Sequence, residues 1–246
     1  MRSTRRLPLL LLILSLTAAP ALARDDDDEA PSEAVRAFLA KWAERMRGVE
    51  RLRVRFEQKK TLRILRKPRE SSGRAFLLGK RLRMVIESAA GERELELGVN
   101  EGRVRVLYPR LKRLEVYDLD AAAAAGGAAA TPFPMFGEDV ERLPETYRIA
   151  LERDGETDVL VMVPKAEGSP VAELRMRLRD FQVTGLVQKG QRGDTVELTI
   201  TEFAIGAEVS EEDVELHVPE GTKVVNVMGG GEKKDGGAED GEDGGD

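Results

Sequence analysis

From residue 51 onward, hydrophobic and polar side chains alternate with a period of two in short runs. "RLRVRFEQ" sets Leu52, Val54 and Phe56 against Arg51, Arg53 and Arg55. The same beat recurs in "RAFLL" up to Gly79, "LRMVIE" before "SAAGE", "RELELGV" before "NEG", "RVRVLY" into Pro109, and "LKRLEVYDL". After a break come "TYRIALE", "DVLVMV", "AELRMRLRD", "FQVTGLVQ", "TVELTITEF" and "DVELHVP", the last followed by "EGTKVVNV". Runs of this kind, closed by Gly, Pro, Asn or Asp, predict strands, about eleven of them with almost no helix between. Connections this short force antiparallel pairing, because parallel neighbours need long crossovers.

One segment ahead of the strands has a different period. "PSEAVRAFLAKWAERMRG" places Val35, Phe38, Leu39, Trp42 and Met46 on one stripe of an otherwise charged helix, with Pro31 near its start and Gly48 at its end. Such a helix has to lie on something apolar. A sheet of so many strands curls, and the helix is predicted to sit at its mouth. The inner lining is expected from Val54, Phe56, Phe76, Met84, Ile86, Leu95, Leu97, Val104, Val106, Leu174, Met176 and Leu178. With aromatics at only 4%, that lining is mostly flexible aliphatic and suits an acyl chain better than a flat ring. An ordinary filled core is the alternative. The break between the two groups of strands, 120–143, holds "DAAAAAGGAAATP", where Gly126 and Gly127 interrupt the alanines and Pro132 and Pro134 end the run. It reads as a mobile flap with Phe133, Met135 and Phe136 as its apolar tip, closing the mouth together with Trp42.

Charge changes the picture less than its density suggests. Between residues 51 and 83, thirteen lysines and arginines face only Glu57 and Glu70, a pattern that nucleic-acid binders share. The outer positions of other runs carry Glu94 and Glu96, Glu173 with Arg175, or Thr195 and Glu197. The outer face is therefore expected to be wet whatever its sign, with its charges discouraging edge-to-edge association. No nucleic-acid partner follows.

The N-terminus points to export. "MRSTRR" precedes "LPLLLLILSLTAAPALA", with Ala21 and Ala23 where a signal peptidase reads. Its apolar stretch is about half of the roughly 20 residues that a membrane-spanning helix needs. The expected layout is a signal peptide over 1–23, an acidic disordered start over 24–30, one domain over 31–228, and a Gly-rich acidic disordered tail over 229–246. Losing Arg2, Arg5 and Arg6 takes the formal charge from −6 to −9, and "RDDDDE" and the tail hold nearly all of it. The chain has no cysteine, so no disulfide staples the fold and none can carry a lipid after the signal. Signs of catalysis are absent: the one histidine, His217, is expected on the wet face, and no GxSxG elbow, zinc cluster or GxxxxGK[ST] loop occurs. Neither an enzyme nor a cofactor is expected.

Over roughly residues 31–227 the chain resembles LolA, the periplasmic lipoprotein carrier family. The resemblance rests on the leading helix, "VRFEQ" with Phe56 and Gln58, "SSGRAFLLGKRLRM", "NEGRVRVLYPRLKRLEV" with Tyr108 and Pro109, "TPFPMF", "MVPKAEGSPVAELRMRL" and "LHVPEGTKVV", in the family's order. It implies an incomplete antiparallel β-barrel with helices at the mouth, a monomer in the periplasm, and carriage of acylated lipoproteins from the inner to the outer membrane. Implied partners are an ABC-type extractor in the inner membrane and an outer-membrane receptor. The family's basic residue after the first hairpin falls nearest Lys80 and Arg81. A sensor of lipid or lipoprotein, or a carrier of another lipid, would use the same shape. Terminal sequencing of the exported protein is expected to start at Arg24; an intact Met1 in the membrane fraction would refute cleavage.

Overall fold

The computed structural model describes residues 30–65, 67–118 and 140–227. Helix α1 (Glu33–Met46) is capped by Ser32, whose hydroxyl accepts from the Val35 amide at 3.3 Å. It ends two residues before Gly48, which takes φ +76°, the left-handed conformation that glycine reaches without strain. The chain then enters a first meander of β1 (Arg51–Thr61), β2 (Arg69–Leu78), β3 (Arg81–Ser88), β4 (Arg93–Asn100), β5 (Arg103–Tyr108) and β6 (Arg113–Asp118). A 3₁₀ turn at Val140–Arg142 and the one-turn helix α2 (Leu143–Thr146) lead into the second meander. It comprises β7 (Tyr147–Asp154), β8 (Thr157–Pro164), β9 (Val171–Arg179), β10 (Gln182–Gly190) and β11 (Thr195–Ile205), with β12 (Lys223–Val227) closing the described chain.

All twelve strands form one sheet in the order β12-β6-β5-β4-β3-β2-β1-β11-β10-β9-β8-β7. The two meanders meet where β1 pairs antiparallel with β11, Leu52 opposite Ile205 through Thr61 opposite Thr195, with a bulge at Arg55/Phe56. The edges, β12 and β7, are not paired with each other. The fold is therefore mainly β, an open barrel with a helix laid on its inner face. That face and α1 share one core, in which Val35, Phe38, Leu39, Trp42, Ala43 and Met46 of the helix are all buried. Val140 and Leu143 join it, so the far end of the 120–143 break is anchored in the core. Residues 119–139 lie outside the described chain, as do residues 1–29 and those from 228 on, so the expected signal peptide and both acidic ends fall there.

The strand reading needs four corrections. "DVELHVP" is not a strand: Glu212–Val214 makes a 3₁₀ turn, and the last strand is Lys223–Val227. Its pairing with β6 is parallel, Lys223 beside Arg113 through Val227 beside Tyr117, so the sheet is mixed. Residues 206–222 supply the long connection that a parallel neighbour needs. Strand β2 also starts at Arg69, not Arg74, since "RESSG" pairs with Lys60 back to Phe56 of β1 and this pairing overrides local turn preference. Finally, Glu96 is not wet. It is 2% exposed, because the 207–219 segment lies against this part of the outer face: Leu216 clusters with Leu107 and Leu114, and a Cβ on Gly98 would stand 3.3 Å from that of Leu216. The buried carboxylate is held by Arg83 at 2.7 Å and Arg93 at 3.0 Å, as a charge out of water requires.

Gly73 faces Phe56 across the first hairpin. A Cβ there would lie 2.2 Å from Phe56 Cζ, and Phe56 is itself buried, so the ring cannot step aside cheaply. Gly73→Ala is expected to destabilise the fold by about 1–3 kcal/mol through overpacking, read as a lower midpoint in urea unfolding. An unchanged midpoint would mean that the ring relaxes freely.

Candidate functional site

Strand register decides which side chains reach the inner face. Phe56, Val54 and Leu52 of β1 stand beside Gly73, Ala75 and Leu77 of β2, and these beside Ile86, Met84 and Leu82 of β3. The row continues through Leu95, Leu97 and Val99 of β4 to Val106 and Val104 of β5. On the other side it runs through Leu198, Leu186 and Met176 to Leu160, with Leu174 beside Met162 and Leu178 beside Val183. Of the twelve lining residues expected from sequence, Val54, Phe56, Met84, Ile86, Leu97, Val104, Val106, Leu174, Met176 and Leu178 are buried in this core, and Leu95 packs partly buried against it. Phe76 is the exception. It stands beside Arg53 and Arg83 on the outer face, because Ala75 and Leu77 take the inward phase of "RAFLL".

Trp42 belongs to the same core and is 0% exposed. Among the described residues its buried indole Nε1 has no hydrogen-bond partner, and an unmade bond in such a place costs about 1–3 kcal/mol. The Phe38 ring packs on Phe181 of the β9–β10 turn with centroids 5.2 Å apart. In this conformation, then, helix side chains occupy the space over the inner face. Phe133, Met135 and Phe136 of the expected flap lie outside the described residues.

Lys80 and Arg81 lie on the β2–β3 turn, where Gly79 donates to the Glu50 carbonyl at 2.7 Å. They edge an open polar cleft of about 630 Å³ with Glu50, Arg51, Asn100 and Glu101, and Arg81 is ion-paired to Glu211. The turn is thus tied to the linker through which α1 joins the sheet. A second open cleft, of about 950 Å³, lies between the C-terminal half of α1 and the β9–β10 turn, lined by Lys41, Glu44, Arg45 and Arg179 among others.

Two polar groups on the inner face escaped the sequence reading. At one end, Gln58 and Lys60 continue the inward phase of β1, and the Gln58 side-chain carbonyl accepts from the Ser71 hydroxyl at 3.1 Å. Burial holds the Lys60 amine below its ordinary value of 10.5, partly offset by nearby Glu94, with Arg69 adding to the depression. At the β6 edge, Tyr117 donates to Glu115 at 2.6 Å and Arg113 pairs with the same carboxylate at 2.7 Å. Burial, then the Glu115 carboxylate, raises the hydroxyls of Tyr117 and Tyr108 above their usual range, Tyr117 the more. Leu114 points outward to join Leu107 and Leu216, so the phase of "LKRLEVYDL" runs opposite to what its apolar residues suggest. Only the long-range cover by 207–219 reveals that.

Among the described residues, no group of three or more His, Cys, Asp and Glu could hold a metal ion, and no helix is long and apolar enough to cross a membrane. His217 is exposed, with Nδ1 near the Glu215 carbonyl at 3.3 Å.

No protein-family model matches the sequence, and no curated protein matches it. Solved structures do align with it. A LolA superfamily protein from Nitrosomonas europaea shares 8% identity over 76% of this chain and 99% of its own, with a TM-score of 0.42. The chain is similar in fold to LolA superfamily structures. An uncharacterized conserved protein from Thermus thermophilus aligns at 13% identity over 78% of this chain and 98% of its own, TM-score 0.46. The Pseudomonas aeruginosa MucA/MucB complex aligns at 15% identity over 75% of this chain and 61% of its own, TM-score 0.40.

Lys60 gives a pH test of this face. Its folded-state value is lowered, so the folded protein bears a cost below that value, which is relieved as pH rises through it toward the ordinary 10.5. Lys60→Met is expected to raise the melting temperature at neutral pH, with a gain that shrinks in alkali. A gain independent of pH would point to packing instead of charge.

Proposed function

We propose that the inner face binds acyl chains in the place now taken by α1, and that the protein is a periplasmic carrier of acylated lipoproteins from the inner to the outer membrane. The observation that carries this reading is the mode of cover. Among the described residues, a wide apolar sheet face is overlaid by one long helix, of 14 residues, that joins the sheet through a glycine, and the buried Trp42 N–H finds no partner there.

The magnitudes permit the exchange. Six buried side chains on the helix stripe, at about 1.5–3 kcal/mol each, contribute on the order of 10 kcal/mol. An acyl chain of about 15 methylenes, at about 0.8 kcal/mol each, offers on the order of 12. Helix and acyl chain are near-equal competitors for one surface, so loading and release both stay accessible. Rotation at Gly48 is the natural hinge: a Cβ there meets nothing within 4 Å. The Lys80–Arg81 turn, tied to the same linker, is then a place where an inner-membrane extractor or an outer-membrane receptor could act on the helix. Acyl chains in water would cost tens of kcal/mol for two or three chains, which is the need a carrier meets.

Trp42 is the one tryptophan of the chain and therefore a built-in reporter. A synthetic diacyl lipopeptide with brominated acyl chains is expected to quench its emission saturably, while Arg53→Glu, on the outer face, leaves the titration unchanged. No quenching at saturating lipopeptide, together with no lipid in mass spectra of the purified protein, would establish a solid core and end the reading. Release from the loaded protein to acceptor vesicles separates transport from sensing; retention would favour a sensor.

A further inference from the structure

The ends of the barrel differ in a way that ligand binding on the inner face does not use. Because neighbouring strands from β7 to β6 are antiparallel, the β1–β2, β3–β4, β5–β6, β8–β9 and β10–β11 connections gather at one rim. The β2–β3, β4–β5, β7–β8 and β9–β10 turns gather at the other. Among the described residues, the first set of loops holds six lysines and arginines against three acids, and the second holds Lys80 against three acids. The two most exposed large hydrophobics, Ile64 at 87% and Leu111 at 70%, both stand on the basic rim, with Leu65 beside Ile64.

These tips are held in place. The turn carrying Ile64 is closed by the Leu65 amide donating to the Leu62 carbonyl at 2.9 Å, and the Arg63 amide donates to Asp194 of the β10–β11 loop at 2.7 Å. Leu111 lies in a 3₁₀ turn whose Arg110 pairs with Glu92 of the β3–β4 loop at 2.5 Å. The β1–β2 and β5–β6 tips are four strand spacings apart, ~19 Å along the sheet, and each has basic neighbours: Arg63 and Lys67 for the first, Arg110 and Lys112 for the second.

We infer that this rim docks on a bilayer surface bearing anionic phospholipid, with Ile64 and Leu111 entering the headgroup region and the flanking lysines and arginines meeting the lipid charge. Interfacial binding combines apolar insertion with attraction of basic residues to anionic headgroups, and the rim presents both. A nucleic acid or another soluble polyanion would use the charge but not the two aliphatic tips, since single strands stack on aromatic side chains. The chain as a whole is acidic, −6 by formal charge, so the attraction is local to one end and sets orientation. The docking stands whichever ligand the inner face takes.

The test uses the full chain with a single cysteine, Ile64→Cys, carrying an environment-sensitive nitrobenzoxadiazole label; the natural sequence has no cysteine to compete. Vesicles of equal parts phosphatidylglycerol and phosphatidylcholine are expected to raise the label's emission, and pure phosphatidylcholine vesicles to bind about tenfold or more weakly. Added salt should weaken the binding. In unlabelled protein, Ile64→Ser/Leu111→Ser and Arg63→Glu/Lys67→Glu should each cut co-flotation with the anionic vesicles about tenfold without moving the melting temperature. Three results would overturn the proposal. They are emission unchanged by anionic vesicles, an equal rise with soluble heparin, and flotation untouched by the Ile64→Ser/Leu111→Ser change.

Discussion

The fold depends on one apolar contact, the stripe of α1 against the inner face of the sheet. A sheet of this width has two faces. The outer one is kept compatible with water by ion pairs such as Arg53–Glu202 and Arg175–Glu152, or is covered locally by 207–219. The inner one has no second sheet to meet. Only α1, with Val140 and Leu143, stands between it and solvent among the described residues. Trp42, Phe38 and Met46 therefore do for this protein what an opposing sheet does in a β-sandwich, with far less area and a single covalent tether. The proposed function asks that a cover of that kind give way to an acyl chain.

Much of this was legible in the chain. Period-two runs marked eleven of the twelve strands, because half-buried antiparallel strands must alternate, and the helix stripe announced its own burial. Phase was harder to read than period. "RAFLL" offers Phe76 and Leu78 or Ala75 and Leu77 to the interior; the smaller pair wins, since Phe56 already fills the space over Gly73 beside it. "LKRLEVYDL" offers Leu114 and Val116, yet Glu115 and Tyr117 go inward. The cause lies about a hundred residues away, in Leu216, which gives Leu114 and Leu107 an apolar partner outside.

The same distant segment explains both the false strand and the buried acid. "DVELHVP" alternates, but Val214 and Leu216 spend their burial on the outer face of the sheet instead of in a ladder, and Glu96 ends up out of water with Arg83 and Arg93. Local pattern measures which residues want burial; it says nothing about which surface will provide it. The polar patches inside, Lys60 with Gln58 and Glu115 with its tyrosines, were invisible for the same reason. Nothing in a single strand distinguishes a lysine whose amine is partly buried from one in open solvent.

The seam between the two meanders bears on how the protein comes into being. Arg53 and Glu202, paired across β1 and β11, are 149 residues apart in the chain, and β1 cannot complete its ladder until β11 exists. Each meander can form hairpins early, but the surface on which α1 rests spans both. Closing so long a loop is entropically slow, and folds dominated by such distant pairings are slow folders. Until β11 arrives, β1 is an unpaired edge with its apolar side chains exposed, a target for misassociation. Slow closure of that seam leaves an interval after synthesis in which a factor that binds extended chains can still engage β1.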